Sequence, residues 1–295
     1  MKILLFGKNG QLGFELLRGL APLGQIQALG REDFDLSYGV GLPELIKDMA
    51  PDVIVNAAAY NAVDKAEEET DLAMDINCHA PALMAEAARE ISALLVHFST
   101  DYVFDGEKAD RLYDEKDETK PLGVYGRSKL YGEQALQKSG AKYLIFRTSW
   151  LVGAHGYNFA KNIINLACKK KSLKVVNDRF GVPTSLALVA DITAHAIRQI
   201  VQYCDGDAMG LYHLAAEGKT SLHGYARYVV EKAIEAGKQT LLKPDNILPI
   251  SATEYQTIAK RPLNSLLSTE LLRRTFDVEV PNWRSGLDHV LRQIL

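Results

Sequence analysis

Tyr125 stands four residues ahead of Lys129 in Val124-Tyr125-Gly126-Arg127-Ser128-Lys129, so on a continuing helix the phenol and the ammonium share one face and point at one spot. That spacing suits the reduction of a carbonyl, in which a hydride arrives from one side and a proton must reach the developing alkoxide from the other. The tyrosine hydroxyl is the expected proton donor. The lysine ammonium one turn away, together with the positive nicotinamide of an oxidised cofactor, is expected to favour the tyrosinate and so lower the phenol's pKa, and it can also hydrogen-bond the nicotinamide ribose. Upstream, Phe98-Ser99-Thr100-Asp101-Tyr102 closes an apolar run with two hydroxyls and a carboxylate, and Thr100 is expected to hold the substrate oxygen.

A hydride needs a source. Gly7, Gly10 and Gly13 in Gly7-Lys8-Asn9-Gly10-Gln11-Leu12-Gly13 follow one short apolar run directly and open a helical pattern. Glycine there permits a tight turn and lets backbone N–H groups, Gln11 and Leu12 among them, approach a pyrophosphate at a helix N-terminus. About twenty residues on, a carboxylate usually bonds the adenosine ribose. Here Leu29-Gly30-Arg31-Glu32 puts glycine at that place and arginine after it, and an arginine pairs with a 2′-phosphate, so NADPH is expected over NADH. Asp35 and Leu36 in the next loop are expected to reach the adenine. Ala57, Ala58 and Ala59 leave room for a flat cofactor to cross a strand's carboxyl end.

The elements that would position these residues alternate. Apolar runs at Lys2 to Phe6, Gln25 to Leu29, Asp52 to Asn56, Ala93 to Phe98 and Lys142 to Phe146 read as strands buried on both faces. Helical patterns lie between them at Gln11 to Leu20, Leu42 to Met49, Asp71 to Glu90 and Tyr125 to Lys138. Such alternation predicts an α/β fold with a doubly wound, Rossmann-like parallel sheet and ligands beyond the strands' carboxyl ends. Past about residue 150 the rhythm loosens into strands at Leu173 to Val176 and Leu211 to Leu214 and helices at Ser185 to Tyr203, Ser221 to Ala236 and Trp283 to Gln293. The division expected is a dinucleotide-binding domain over 1–150 and a smaller, partly interleaved substrate region over 151–295. The polar stretch Asp105 to Thr119 is the longest expected loop and a candidate mobile lid.

Composition narrows the partners. The chain has 295 residues, 47% of them apolar, and a formal net charge of −3, so it can bury a large core and offers no basic surplus for nucleic acid or an anionic membrane. The short apolar run after Met1-Lys2 is a strand, not a secretory or spanning segment. Cys78, Cys168 and Cys204 are widely spaced with no clustered histidines, which suggests neither disulfides nor zinc and makes a reducing cytoplasm the default.

The glycine spacing, Asn56-Ala57-Ala58-Ala59, Ser99-Thr100-Asp101-Tyr102-Val103-Phe104 and Tyr125-x-x-x-Lys129 together resemble the extended short-chain dehydrogenase/reductase family. Within it, Ala62-Val63-Asp64-Lys65-Ala66-Glu67, Phe146-Arg147-Thr148-Ser149-Trp150 and Asn158-Phe159-Ala160-Lys161 are similar to the group that reduces dTDP-4-dehydrorhamnose. The resemblance runs from Met1 to about Gly218 and returns at Arg261-Pro262-x-Asn264-Ser265. It implies that NAD(P)H reduces the C4 carbonyl of a dTDP-linked 4-keto sugar, with Thr100, Tyr125 and Lys129 catalytic. It also implies substrate contacts from Thr100, Asp101, Trp150 and Asn158, with Lys161 and Arg261 toward the diphosphate. Some relatives dimerise around magnesium; Glu15 matches one of its carboxylates but Ala187 replaces another, so no metal is expected and a homodimer stays open. The alternatives are another nucleotide-sugar reductase or epimerase of this fold, or a non-catalytic subunit like the regulatory subunit of methionine adenosyltransferase. A 4,6-dehydratase would need Asp-Glu after the threonine, where this chain has Asp101-Tyr102.

Overall fold

The computed structural model describes residues 1–108, 111–202 and 206–295. Tyr203, where the sequence pattern ends a helix, and Cys204 lie outside the described residues, as do two positions of the long polar loop. The apolar runs form strands β1 (Lys2–Phe6), β2 (Gln25–Leu29), β3 (Val53–Asn56), β4 (Leu94–Thr100) and β5 (Lys142–Thr148). With the Gly210–His213 strand they make one parallel sheet in the order Gly210–His213, β5, β4, β3, β1, β2. The direction of winding reverses between β1 and β3, which opens a crevice at their carboxyl ends.

Alternation along each strand builds two cores. Ile3, Leu5, Val53 and Val55 face helix α1 (Gln11–Leu20) and the Leu186–Gln202 helix, while Leu4, Phe6 and Ile54 face helix α2 (Leu42–Met49) and the Ala80–Glu90 helix. All seven residues of β4 are buried, as a central parallel strand covered on both sides must be. A further apolar cluster gathers Trp283, Tyr225, Ile163 and Leu287 beneath the short parallel pair Leu173–Val176 and Ile247–Ile250.

Three local features depart from the pattern. The stretch Asp71 to Glu90 is no uniform helix: Thr70–Met74 passes through a π-helical turn at Asp75–His79 before Ala80–Glu90. Pro81 lacks the N–H that would continue the ladder. Asn77 in that turn instead clasps Tyr60, accepting from its N–H and donating to its carbonyl, both at 2.9 Å, and donates to Ser128 Oγ at 3.0 Å. A helix at Phe159–Lys169, capped by Asn158, was not anticipated. In the described part of the stretch expected as a mobile lid, Tyr113 is buried against Phe104 with ring centroids 4.2 Å apart, donates its hydroxyl to Asp105, and bonds Leu266 through its backbone.

The Val124–Lys138 helix is fixed to β5 by a buried ion pair. Arg147 donates through Nε to Glu133 Oε1 at 2.9 Å and through Nη2 to Oε2 at 2.6 Å, with both side chains almost fully enclosed. Removing one partner strands the other as a buried, uncompensated charge. Arg147→Met is therefore expected to cost about 3–5 kcal/mol of stability, and Arg147→Met with Glu133→Met to recover most of that loss. Guanidinium unfolding measures both; equal losses in the single and double variants would rule the pair out as the anchor.

Candidate active site

The turn after β1 is built to let backbone come close to a ligand. Gly7 adopts φ +88°, a left-handed conformation, and a Cβ on it would lie 2.7 Å from the Ala58 nitrogen. A Cβ at Gly13 would drive into the Gly7 carbonyl, so the first turn of α1 sits directly on the loop. Gly10 starts α1 without a side-chain cap, which leaves the helix's first N–H groups available. These features fit the pyrophosphate of a dinucleotide.

A cleft of about 670 Å³ runs from this turn to the reacting groups. Gly7, Gly10, Gln11, Leu12, Arg31, Asp35, Leu36, Ala57, Ala58, Ala59, Tyr125 and Lys129 all line it. Gly13 lies beneath the turn. At the adenine end Arg31 is largely exposed and donates to Asp35 Oδ2 at 2.9 Å. Glu32 accepts from Asn9 Nδ2 and pairs with Lys8, which also bonds Asp33, and its carboxylate fills the space that a side chain at Gly30 would take.

At the reacting end Thr100, Tyr125 and Lys129 come together where β4 stops and the Val124–Lys138 helix begins. Burial pushes the Tyr125 phenol above its ordinary pKa, opposed by a hydrogen bond with the Thr100 hydroxyl. Desolvation of the tyrosinate outweighs the hydrogen bond that favours it. Burial also brings Lys129 down to about 8, with Glu133 acting the other way. Asp101 is pushed up to about 6 by burial, opposed first by a hydrogen bond with Ser265; its Oδ2 has no partner among the described residues.

A second, smaller cleft of about 190 Å³ adjoins the first through Leu151, which lines both. Its walls are aromatic and cationic: Tyr102, Trp150, Phe159 and Tyr225, with Arg179 and Arg261. Trp150 holds a left-handed φ of 45° and lies parallel to Tyr225, ring centroids 6.3 Å apart, and a Cβ at Gly181 would strike its indole. Arg261 donates to Asp64 Oδ2 at 2.6 Å, but the Nε atoms of Arg261 and Arg179 are both buried without a hydrogen-bond partner among the described residues. Two such guanidinium groups in one pocket ask for an anion with several acceptor oxygens.

Not every candidate meets here. Asn158 Oδ1 accepts from the Lys161 N–H and its Nδ2 donates to Gln11 Oε1 and the Gly153 carbonyl. The Lys161 ammonium is spent on the carbonyls of Ala154 and Gly156. Both residues brace the loop against the glycine turn and line neither cleft. Glu15 accepts from Arg18 on the outer face of α1. Arg179, which sequence reasoning missed, lies between the Leu173–Val176 strand and Gly181 with no motif around it; only its buried, unpaired Nε gives it away.

A family model described as the RmlD substrate binding domain matches residues 1–295. The dTDP-4-dehydrorhamnose reductase of Salmonella typhimurium is similar at 48% identity over 298 aligned positions, covering 100% of this chain and 98% of the relative. The crystal structure of a dTDP-4-dehydrorhamnose reductase from Clostridium acetobutylicum is similar with a TM-score of 0.88 at 35% identity, over 99% of each chain. That of the same enzyme from Bacillus anthracis, in complex with NADP, has a TM-score of 0.89 at 32% identity, also over 99% of each chain. Matched by that model from end to end and by these relatives over nearly their whole length, the chain belongs to the RmlD substrate binding domain family.

Proposed function

We propose that this chain is an NADPH-dependent oxidoreductase that reduces the C4 carbonyl of dTDP-4-dehydro-L-rhamnose to give dTDP-L-rhamnose. Relatives that share its full length carry this activity in their names, and one is solved with NADP. The observation that carries the reading is the phenol of Tyr125, hydrogen-bonded with Thr100, on the cleft that joins the arginine-lined pocket.

NADPH, when bound, supplies the hydride. Thr100 holds the C4 oxygen while Tyr125 gives it a proton, and the charge of Lys129 on the next turn stabilises the tyrosinate left behind. Asp101 meets a sugar hydroxyl. Arg179 and Arg261 clamp the diphosphate and Trp150 walls the sugar. Residues 1–150 serve the cofactor and 151–295 mainly the substrate, with the Gly210–His213 strand crossing that division. Cys78 and Cys168 are free thiols, in keeping with a cytoplasmic enzyme, and among the described residues no helix is long and apolar enough to cross a membrane.

Mixing the purified protein with dTDP-4-dehydro-L-rhamnose should oxidise NADPH in step with dTDP-L-rhamnose formation. Tyr125→Phe should bind cofactor normally yet slow this turnover by roughly two to four orders of magnitude; near-normal rates would refute Tyr125 as the donor. Arg31→Ala should weaken NADPH binding by about five- to thirtyfold and leave NADH little changed, and equal losses for both would remove Arg31 as a 2′-phosphate contact. Lys129 is charged below its pKa of about 8, so turnover should fall as pH rises through about 8. A rate that stays flat well above that pH would show that the ammonium is not needed.

A further inference from the structure

His97 is fully buried on β4 and takes no part in the chemistry above. Its Nε2 lies 3.2 Å from Lys129 Nζ, its Nδ1 lies 3.2 Å from Asn56 Nδ2, and Asn56 Oδ1 accepts the Ala58 N–H at 3.1 Å. Gly132 lets the helix pass close beside it, since a Cβ there would collide with the Asn77 carbonyl. Burial, reinforced by the Lys129 charge, holds the ring's pKa well below its ordinary value, so it carries a single proton on one nitrogen or the other.

The hydrogen-bond directions then constrain one another. With the Asn56 amide oriented by Ala58, its NH2 donates to Nδ1, the ring proton sits on Nε2, and that N–H points at Lys129. Its partner must be an unprotonated amine, because an ammonium has only donors to offer. A charged Lys129 needs Nε2 as acceptor. That moves the ring proton to Nδ1 and requires the Asn56 oxygen to turn toward it, taking the acceptor away from the Ala58 N–H in the wall of the cofactor cleft. The other ionisable neighbours on the helix are Glu133, committed to Arg147, and Tyr125, whose phenol keeps its proton.

We propose that His97 is a positioning residue that changes tautomer as Lys129 gains or loses its proton, so that the charge behind the proton donor is linked through Asn56 to the Ala57 to Ala59 edge of the cofactor cleft. The proposal rests on the role given to Lys129 above. Nitrogen-15 NMR of the full chain without cofactor, with His97 assigned through its backbone, reads the tautomer directly. From about pH 6.5 to about 9.5 the ring should pass from Nδ1–H to Nε2–H without becoming charged, at the midpoint of the Lys129 titration followed on 13Cε-labelled lysine. One tautomer throughout would overturn the proposal. Asn56→Asp offers acceptors to both Ala58 and His97 and should raise the Lys129 midpoint by about one pH unit, tenfold in proton affinity; an unmoved midpoint in the folded variant would also overturn it. If that variant does not fold, the wild-type tautomer still decides. Neither measurement uses a sugar, so a wrong substrate would show as absent turnover with this network intact.

Discussion

The buried pair of Arg147 and Glu133 sets where the Val124–Lys138 helix can lie, and the reacting groups ride on that helix. Tyr125, Lys129 and Glu133 recur at intervals of four, one above the other on the same face, so fixing Glu133 against β5 fixes the other two against the sheet edge. Burying two charges is costly unless their geometry is good and their remaining hydrogen-bonding capacity is used. Here both guanidinium edges are engaged: the remaining Nη1 reaches His213 Nε2 at 3.5 Å, and Phe104 covers the guanidinium face with its ring centroid 5.1 Å away. His213 in turn holds the Tyr113 carbonyl, so the same network that docks the helix also pins the long polar segment.

Burial is also what tunes the site. It raises the Tyr125 phenol and the Asp101 carboxyl and lowers Lys129, because in each case desolvation penalises the charged form. The three shifts suit the reducing direction. A donor that holds its proton until an alkoxide develops is more useful there than a preformed tyrosinate, and a lysine with a pKa of about 8 can exchange its charge near neutrality.

The second cleft is assembled from parts that say little separately. Trp150 is held at a backbone conformation that costs a bulky residue on the order of 1–3 kcal/mol, with Gly181 clearing space for its indole and Tyr225 lying parallel to it. Arg261 arrives from the far end of the chain and is steadied by Asp64, while Arg179 comes from the middle. Their two unpartnered Nε atoms are the one feature of the pocket that specifies the chemistry of its occupant.

The sheet, the glycine turn and the pairing of Tyr125 with Lys129 are legible in the chain alone, because each depends on residues close in the chain and on periods of two or four that survive without tertiary context. Strand limits fell within two residues of the pattern, and the residues named along the cofactor lane, Gly13 apart, line one cleft. Only the tertiary structure decided the sign of the Tyr125 shift, the π-helical turn at Asn77, the bracing role of Asn158 and Lys161, and the presence of Arg179. Those depend on which groups are removed from water and on which distant backbone atoms they meet, and neither burial nor long-range hydrogen bonding leaves a local period to read.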